Sequence, residues 1–397
     1  MTGDTGTTRA ERLATAARLS QRFGADPAYA RAGGGNSSVK DDGTLFIKPS
    51  GVALASITPD RLMPLALAPL LALAAGEGEG EAGSDAVMRV AMGARLRDEG
   101  DRRPSVECVF HALIPARYVL HTHPTAVNAL TCARDGEAIA RELFGGDVLW
   151  VPYTDPGLPL AREIARRRGG RRATGGSGEV ILLQNHGLIV AGDDEATIVE
   201  RSEAVVHAVG QRISMNTPGT GPAADPGMSA GVEATVERLE RALGTVLGGG
   251  TGPRAVVFDG SADAARLAGT REGRTLVEAG PLTPDQIVYA GSWPLWLGAD
   301  TVAAPGGELE QAVAAAVAGH VAATGETPIV VVAEGLGVLA TGTGARQAET
   351  ARHLYLDATR VGFGALALGG VRALAPAERG FIETWEAETY RRGIEAQ

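Results

Sequence analysis

Three histidines and one glutamate carry the strongest chemical signal in this chain. His121 and His123 stand two apart in Tyr118-Val119-Leu120-His121-Thr122-His123-Pro124, and His186 stands in Asn185-His186-Gly187. Side chains alternate across a strand, so His121 and His123 point the same way and can grip a single metal ion. With His186 as a third imidazole, zinc would keep one or two open positions, the arrangement of a catalytic rather than a structural site. Glu107 is a candidate base beside such a Lewis acid. The plainer alternative is that these histidines are core or surface residues lying close together by chance. Such a set could serve a reaction that builds negative charge on a substrate's oxygen, and breaking a carbon–carbon bond beside a carbonyl is one example. That reaction leaves an enediolate, whose negative charge an ion held by three neutral imidazoles could stabilise by several kcal/mol. Glu107 would then handle the proton on the substrate's carbon.

Two elements must deliver these groups. The first runs from Pro104 and reads as a helix capped by Ser105, with Val106, Val109, Phe110 and Leu113 as its apolar stripe. Glu107 lies off that stripe, about one turn from His111, and the Ile114-Pro115 break turns the chain back into the strand that carries His121. His111 is either a fourth ligand or a helix residue making a structural hydrogen bond. The second element is the apolar strand Val180-Ile181-Leu182-Leu183-Gln184, which ends at His186, where Gly187 permits close backbone approach. A helix from Asp193 to Arg212 follows, with acidic residues at its start that suit the helix dipole.

Upstream, an amphipathic helix over Arg9 to Phe23 precedes the glycine loop Gly33-Gly34-Gly35-Asn36-Ser37. A hairpin turning at Asp41-Asp42-Gly43 follows and ends in Pro49-Ser50-Gly51. Exposed backbone N–H groups in such loops can cradle a phosphate, although the same composition also marks a plain turn. Lys48 is either a phosphate counter-charge or a solvated strand residue. The apolar run from Leu62 to Ala75 is too short to span a bilayer and reads as a buried helix.

The 397 residues carry a formal charge of −10, with a pI near 5.3, which argues against nucleic acid and anionic membrane as partners. Two cysteines, Cys108 and Cys132, imply no disulfide framework and fit a reducing cytoplasm. Met1 to Thr8 has no apolar core and does not read as a signal peptide.

Gly35-Asn36-Ser37, Pro49-Ser50-Gly51, Ser105-Val106-Glu107, His121-Thr122-His123-Pro124 and Asn185-His186-Gly187-Leu188 fall in the order and spacing of the class II aldolase/adducin superfamily, which the chain resembles from about residue 9 to 212. The resemblance implies an α/β fold of αβα layers around a mainly antiparallel sheet. It implies zinc or another divalent metal on His121, His123 and His186, with Glu107 at the catalytic carboxylate position. It also implies a phosphate cradle at Gly35, Asn36, Ser50, Gly51 and Ser105, with Lys48 beside it. The expected activity is aldol cleavage of a ketose phosphate, such as a deoxy-sugar 1-phosphate, to dihydroxyacetone phosphate and an aldehyde. The runners-up are an epimerase or keto-acid sugar-phosphate decarboxylase of the same superfamily, and a non-catalytic adducin-like scaffold. Two departures stand out. Val106 replaces the second serine of the family's Ser-Ser-Glu, and no tyrosine falls near Glu142 to Phe144, where the fuculose-phosphate enzyme has one. The family's homotetramers imply a homo-oligomer here, dimer or tetramer.

Thr217 to Gly227 reads as a linker by composition. Beyond it, Ile287-Val288-Tyr289 reads as a strand, and the run from Pro328 to Arg360 repeats the strand, glycine turn, strand, helix order of Val180 to Ala208. The expected organisation is a catalytic domain over 1–215, a linker and helix over 216–250, and a diverged aldolase-like copy without metal ligands over 251–397. In that copy Glu334-Gly335 would stand where Asn185-His186 stood, and His320 and His353 would lie on helices. The C-terminal stretch also resembles the segment after the aldolase part of rhamnose-utilisation aldolase/dehydrogenase proteins. No glycine cluster follows the dinucleotide-binding pattern, so no nicotinamide cofactor is expected.

Overall fold

A computed structural model describes residues 7–76, 84–170, 178–216, 229–249 and 252–385. The expected linker at 217–227 lies outside these residues. The chain divides into two compact units. The first comprises the residues up to Thr131, Asp135–Ile213, and Thr384 with Trp385; the second holds Cys132–Arg134 and Ser214–Glu383.

The first unit is the expected α/β fold built on a large, mainly antiparallel sheet. Its strands are β1 (Asn36–Asp41), β2 (Thr44–Ile47), β3 (Met63–Ala66), β4 (Tyr118–Thr122), β5 (Val148–Val151), β6 (Gly178–Leu183) and β7 (Gly187–Gly192). They lie in the order β3-β2-β1-β4-β7-β6-β5, antiparallel throughout except for the parallel pair β5 and β6. Asp42 and Gly43, both at positive φ (44° and 73°), make the two-residue turn between β1 and β2. Helices cover both faces. On one face, Ser37 meets Ser20 of the helix Arg9–Ala25 at 2.5 Å, and that helix starts with a capping box from Thr8 and Glu11. On the other, Leu45, Val119, Ile181 and Ile189 pack against Phe110, Leu158 and Ile164 of two further helices.

Two local expectations for this unit are corrected. The run after Leu62 is not one helix: Met63–Ala66 is β3, and the helix is Leu67–Ala75. Pro64 is tolerated because β3 is an edge strand, where a missing N–H breaks no ladder. The helix after Ser105 begins only at Cys108, with Glu107 in the capping position and Val106 in a turn.

In the second unit, β8 (Ala255–Asp259), β9 (Leu295–Leu297), β10 (Val330–Ala333) and β11 (Gly337–Gly342) lie in the order β8-β11-β10-β9. β9 and β10 are parallel and the other pairs antiparallel, which is the pattern of β4-β7-β6-β5. The turns match bond for bond. Gln184, Asn185 and His186 donate their backbone N–H groups to Val151, Thr131 and Leu183 at 2.9, 3.1 and 3.1 Å, and Glu334, Gly335 and Leu336 donate to Leu297, Ala268 and Ala333 at 2.9, 3.0 and 3.0 Å. The register therefore makes Gly335 the counterpart of Asn185 and Leu336 the counterpart of His186, one residue on from the sequence-based alignment. Asn185 (φ 55°) and Gly335 (φ 74°) share the left-handed conformation that this turn requires. His121 has Phe258 as its counterpart and His123 has Gly260, so this unit presents no imidazole at any of the three positions.

Ile287-Val288-Tyr289 is not a strand but part of the helix Pro284–Ala290. The Thr283 hydroxyl accepts from the Gln286 N–H and Pro284 opens the first turn, so the cap outweighs the β-branched pair. His320 and His353 do lie on helices. Among the described residues no helix is long and apolar enough to cross a membrane.

Candidate active site

Antiparallel pairing of β4 with β7 places His121 opposite Ile189, and His186 in the turn that leads into β7. Gly187 is needed there. A β-carbon on it would lie 2.6 Å from the Thr122 carbonyl oxygen and 2.8 Å from the His123 ring. The three imidazoles converge, their candidate ligand nitrogens all within 4.8 Å of one another. Ring centroids are 4.8, 5.0 and 5.3 Å apart, and the Nε2 atoms of His121 and His123 are 3.0 Å apart. Nitrogens bound to one tetrahedral zinc at 2.0–2.1 Å sit about 3.3 Å apart, so these rings fit an ion with little movement.

Their orientation is fixed from behind. His121 is fully buried, and its Nδ1 donates to the Leu188 carbonyl oxygen at 3.0 Å, which leaves Nε2 facing the cluster. Phe110 closes over the same ring edge-on, with centroids 5.7 Å apart. Burial pushes the His121 pKa down to about 3, so the ring is neutral at ordinary pH, as a ligand must be.

Glu107 stands against this cluster, with Oε2 at 3.7 Å from His121 Nε2 and Oε1 at 3.4 Å from His186 Nε2. Its backbone sits in the sparsely populated bridge region (φ −92°, ψ 4°), where many active-site residues are found. Oε2 accepts from Asn36 Nδ2 at 2.5 Å, whereas the buried Oε1 accepts no hydrogen bond among the described residues. Burial alone would raise the carboxyl pKa. The imidazoles of His121 and His186, together with the Asn36 amide, outweigh it and hold the value at about 2. The residues present therefore suit a divalent cation: three imidazole nitrogens and one anionic oxygen that, among the described residues, has no hydrogen-bond donor of its own.

The remaining candidates lie on three segments tied to one another. Lys48 is buried, and its Nζ donates to the carbonyl oxygens of Val52 at 2.6 Å, Gly33 at 3.2 Å and Pro49 at 3.5 Å. Ser50 N–H donates to the Arg103 carbonyl oxygen at 2.9 Å, and Pro49 bridges to Pro104. Gly35 and Gly51 both adopt positive φ, 70° and 73°. A β-carbon on Gly35 would come within 2.7 Å of the His121 carbonyl oxygen. Ser105 Oγ accepts from Asn36 Nδ2 at 3.2 Å and from the Glu107 N–H at 3.3 Å, so this hydroxyl braces Glu107 locally. Asn36, expected in a phosphate cradle, has its side chain engaged by Glu107, Ser105 and His111.

Sequence reasoning missed Ser38 and the Leu188 carbonyl. Ser38 was within reach: it stands two residues from Asn36 on a strand, hence on the same face, and its Oγ lies 2.7 Å from His111 Nδ1. No sequence pattern signals a backbone carbonyl that orients a ring.

A family model described as Class II Aldolase and Adducin N-terminal domain matches residues 11–213, just over half of the chain. Among curated proteins, the chain is similar to one named uncharacterized oxidoreductase YuxG from Bacillus subtilis, at 24% identity over 402 residues, spanning 94% of this chain and 57% of that protein. The chain thus spans little more than half the length of this relative. It is also similar to a 3-oxo-tetronate 4-phosphate decarboxylase of Haemophilus influenzae, at 27% identity over 189 residues, 44% of this chain and 74% of the enzyme. Similar solved structures include the N-terminal class II aldolase domain of a Thermoplasma acidophilum protein (TM-score 0.45, 24% identity, 54% of this chain and 97% of that one). Another is an L-fuculose-1-phosphate aldolase from Thermus thermophilus (TM-score 0.37, 21% identity, 54% of this chain and 100% of that one).

Proposed function

The chain belongs to the class II aldolase and adducin family, and from that membership we propose that it is a divalent-metal-dependent lyase acting on a phosphorylated ketose. The observation that carries this reading is the placement of Glu107. Its two oxygens stand 3.4 and 3.7 Å from two of three converging ring nitrogens, and one of them receives no hydrogen bond. His121, His123 and His186 would hold the ion. When bound, it supplies Lewis-acid stabilisation of the negative charge that develops on the substrate's oxygens.

The chain's own residues do the rest. Glu107 handles the proton on the substrate's carbon: in the condensing direction Oε1 removes it, and in the cleaving direction Oε1 takes up the proton that the substrate's hydroxyl releases as the carbon–carbon bond breaks and passes it to the same carbon. Asn36 and Ser105 hold Oε2 and the Glu107 backbone, so the carboxylate presents one defined oxygen. Gly35, Ser50, Gly51 and Ser105 form the phosphate cradle, and Lys48 shapes it by tying the 33–35 and 49–52 loops together from beneath. The second unit is a diverged copy of the first that has exchanged its ligands for Phe258, Gly260 and Leu336. The assembly is a homo-oligomer.

A second reading, decarboxylation of a 3-oxo-acid sugar phosphate, is favoured by the Haemophilus influenzae relative. It needs the same residues, because loss of carbon dioxide leaves the same kind of carbanion for Glu107 to protonate. Metal-loaded wild type and Glu107→Gln should be assayed in parallel, for dihydroxyacetone phosphate release from ketose 1-phosphates and for carbon dioxide release from 3-oxo-tetronate 4-phosphate. The lyase reading expects the first product from wild type only. Carbon dioxide alone would establish the second reading, and equal turnover by both proteins would remove Glu107 from the mechanism.

A further inference from the structure

One buried group remains outside this mechanism. His111 is fully inaccessible and stacked on Phe110 (centroids 4.6 Å apart, planes 21° apart). Its two nitrogens meet two partners on β1: Nδ1 lies 2.7 Å from Ser38 Oγ, and Nε2 abuts Asn36 Oδ1. Asn36 faces the other way as well, giving Nδ2 to Glu107 Oε2 at 2.5 Å and to Ser105 Oγ at 3.2 Å.

We propose that His111 is a positioning residue that acts through Asn36: by donating from Nε2–H to Oδ1, it fixes which face of the Asn36 amide meets Glu107. The argument is one of donors and acceptors. An amide oxygen only accepts, so the ring nitrogen facing it must carry the hydrogen. Nδ1 is then the acceptor for the Ser38 hydroxyl, and the ring is held in one tautomer from both sides. With Oδ1 anchored, Nδ2 must face Glu107, which occupies Oε2 and leaves Oε1 as the oxygen that handles the proton. Without His111 the amide could rotate, bringing Oδ1 against the carboxylate and two acceptors into contact. Ser38 and Asn36 share a strand face, so the relay is built from one strand and the helix Cys108–Leu113.

The proposal rests on the lyase reading for its kinetic consequence but not for its geometry, and the test separates the two. Long-range proton–nitrogen spectra of metal-loaded, ¹⁵N-histidine-labelled protein should show the Nε2–H tautomer for the ring whose signals vanish in His111→Gln. An Nδ1–H tautomer overturns the relay whatever the protein catalyses. With the substrate in hand, His111→Leu should lower kcat by roughly 10- to 100-fold with little change in KM. His111→Gln, whose amide can donate to Oδ1 and accept from Ser38, should recover most of that loss. In an Asn36→Ala background the Leu substitution should cost nothing further, since the partner it acts through is gone. Losses that multiply in the double variant, or equal losses in the Leu and Gln variants, overturn the proposal. If the Leu variant does not fold, the tautomer and the Gln variant in both backgrounds still decide it. Absence of turnover by wild type would refute the lyase reading and leave the tautomer to judge the relay.

Discussion

Glu107 is the residue on which the proposed chemistry turns, and its surroundings determine what replacing it should do. Glu107→Gln keeps the volume and the Asn36 contact but cannot move a proton, so kcat should fall by about 10²- to 10⁴-fold at unchanged metal content. Kinetics paired with elemental analysis checks both halves. Ligand loss should behave in the opposite way. His186→Ala removes a ring with about 8% exposure, at a turn rather than within a strand, and should abolish tight metal binding while the circular dichroism spectrum stays that of wild type. The histidines and Glu107 were legible because their types and spacing carry chemical meaning. Lys48 was not, because a lysine that holds backbone carbonyls looks in sequence like one that waits for phosphate.

At the scale of elements, the site depends on how closely β4 and β7 approach. Gly187→Ala would force a methyl group against the Thr122 carbonyl oxygen and the His123 ring, and neither backbone can give way without parting the strands. A stability loss of about 1–3 kcal/mol and weakened metal binding should follow, measured by denaturant unfolding and metal titration. Gly43 provides the control. Nothing lies within 4 Å of a β-carbon there and only its φ of 73° resists, so Gly43→Ala should cost stability and leave metal affinity alone. Most strands and long helices followed from alternation and periodicity. The misreadings came where a short signal competed with a cap or an edge. Thr283 and Pro284 turned the strand-like triplet Ile287-Val288-Tyr289 into a helix, and the edge position of β3 made Pro64 acceptable in a strand. Such choices depend on neighbours that are distant in sequence.

Across the whole molecule, the four strands β4-β7-β6-β5 of one sheet and the four of the other share one order and one turn, yet among the described residues only the first gathers imidazoles. Leu336 was hidden in sequence by a one-residue shift in the turn, which hydrogen bonding resolves because each N–H in it has a counterpart, whereas Phe258 and Gly260 emerge only from the pairing of β8 with β11. Acid should expose the cost of the buried rings. Burial depresses the pKa values of His111 and His121 below the 6.5 of an ordinary histidine, so below that pH the unfolded chain takes up protons that the folded chain refuses. Stability of the metal-stripped protein should therefore fall as pH drops below 6.5, by on the order of 1.4 kcal/mol per ring for each unit. Unfolding followed from pH 7.5 to 5.5 reads this directly, and a flat profile would mean that the rings are open to solvent. The account as a whole turns on one ion held by three rings. Titration of zinc into metal-stripped protein, with the bound ion's ligand shell read by X-ray absorption, should give one tight site per chain with a shell of three imidazoles, and no tight site in His186→Ala. Two tight sites, none, or a site indifferent to that substitution would contradict it.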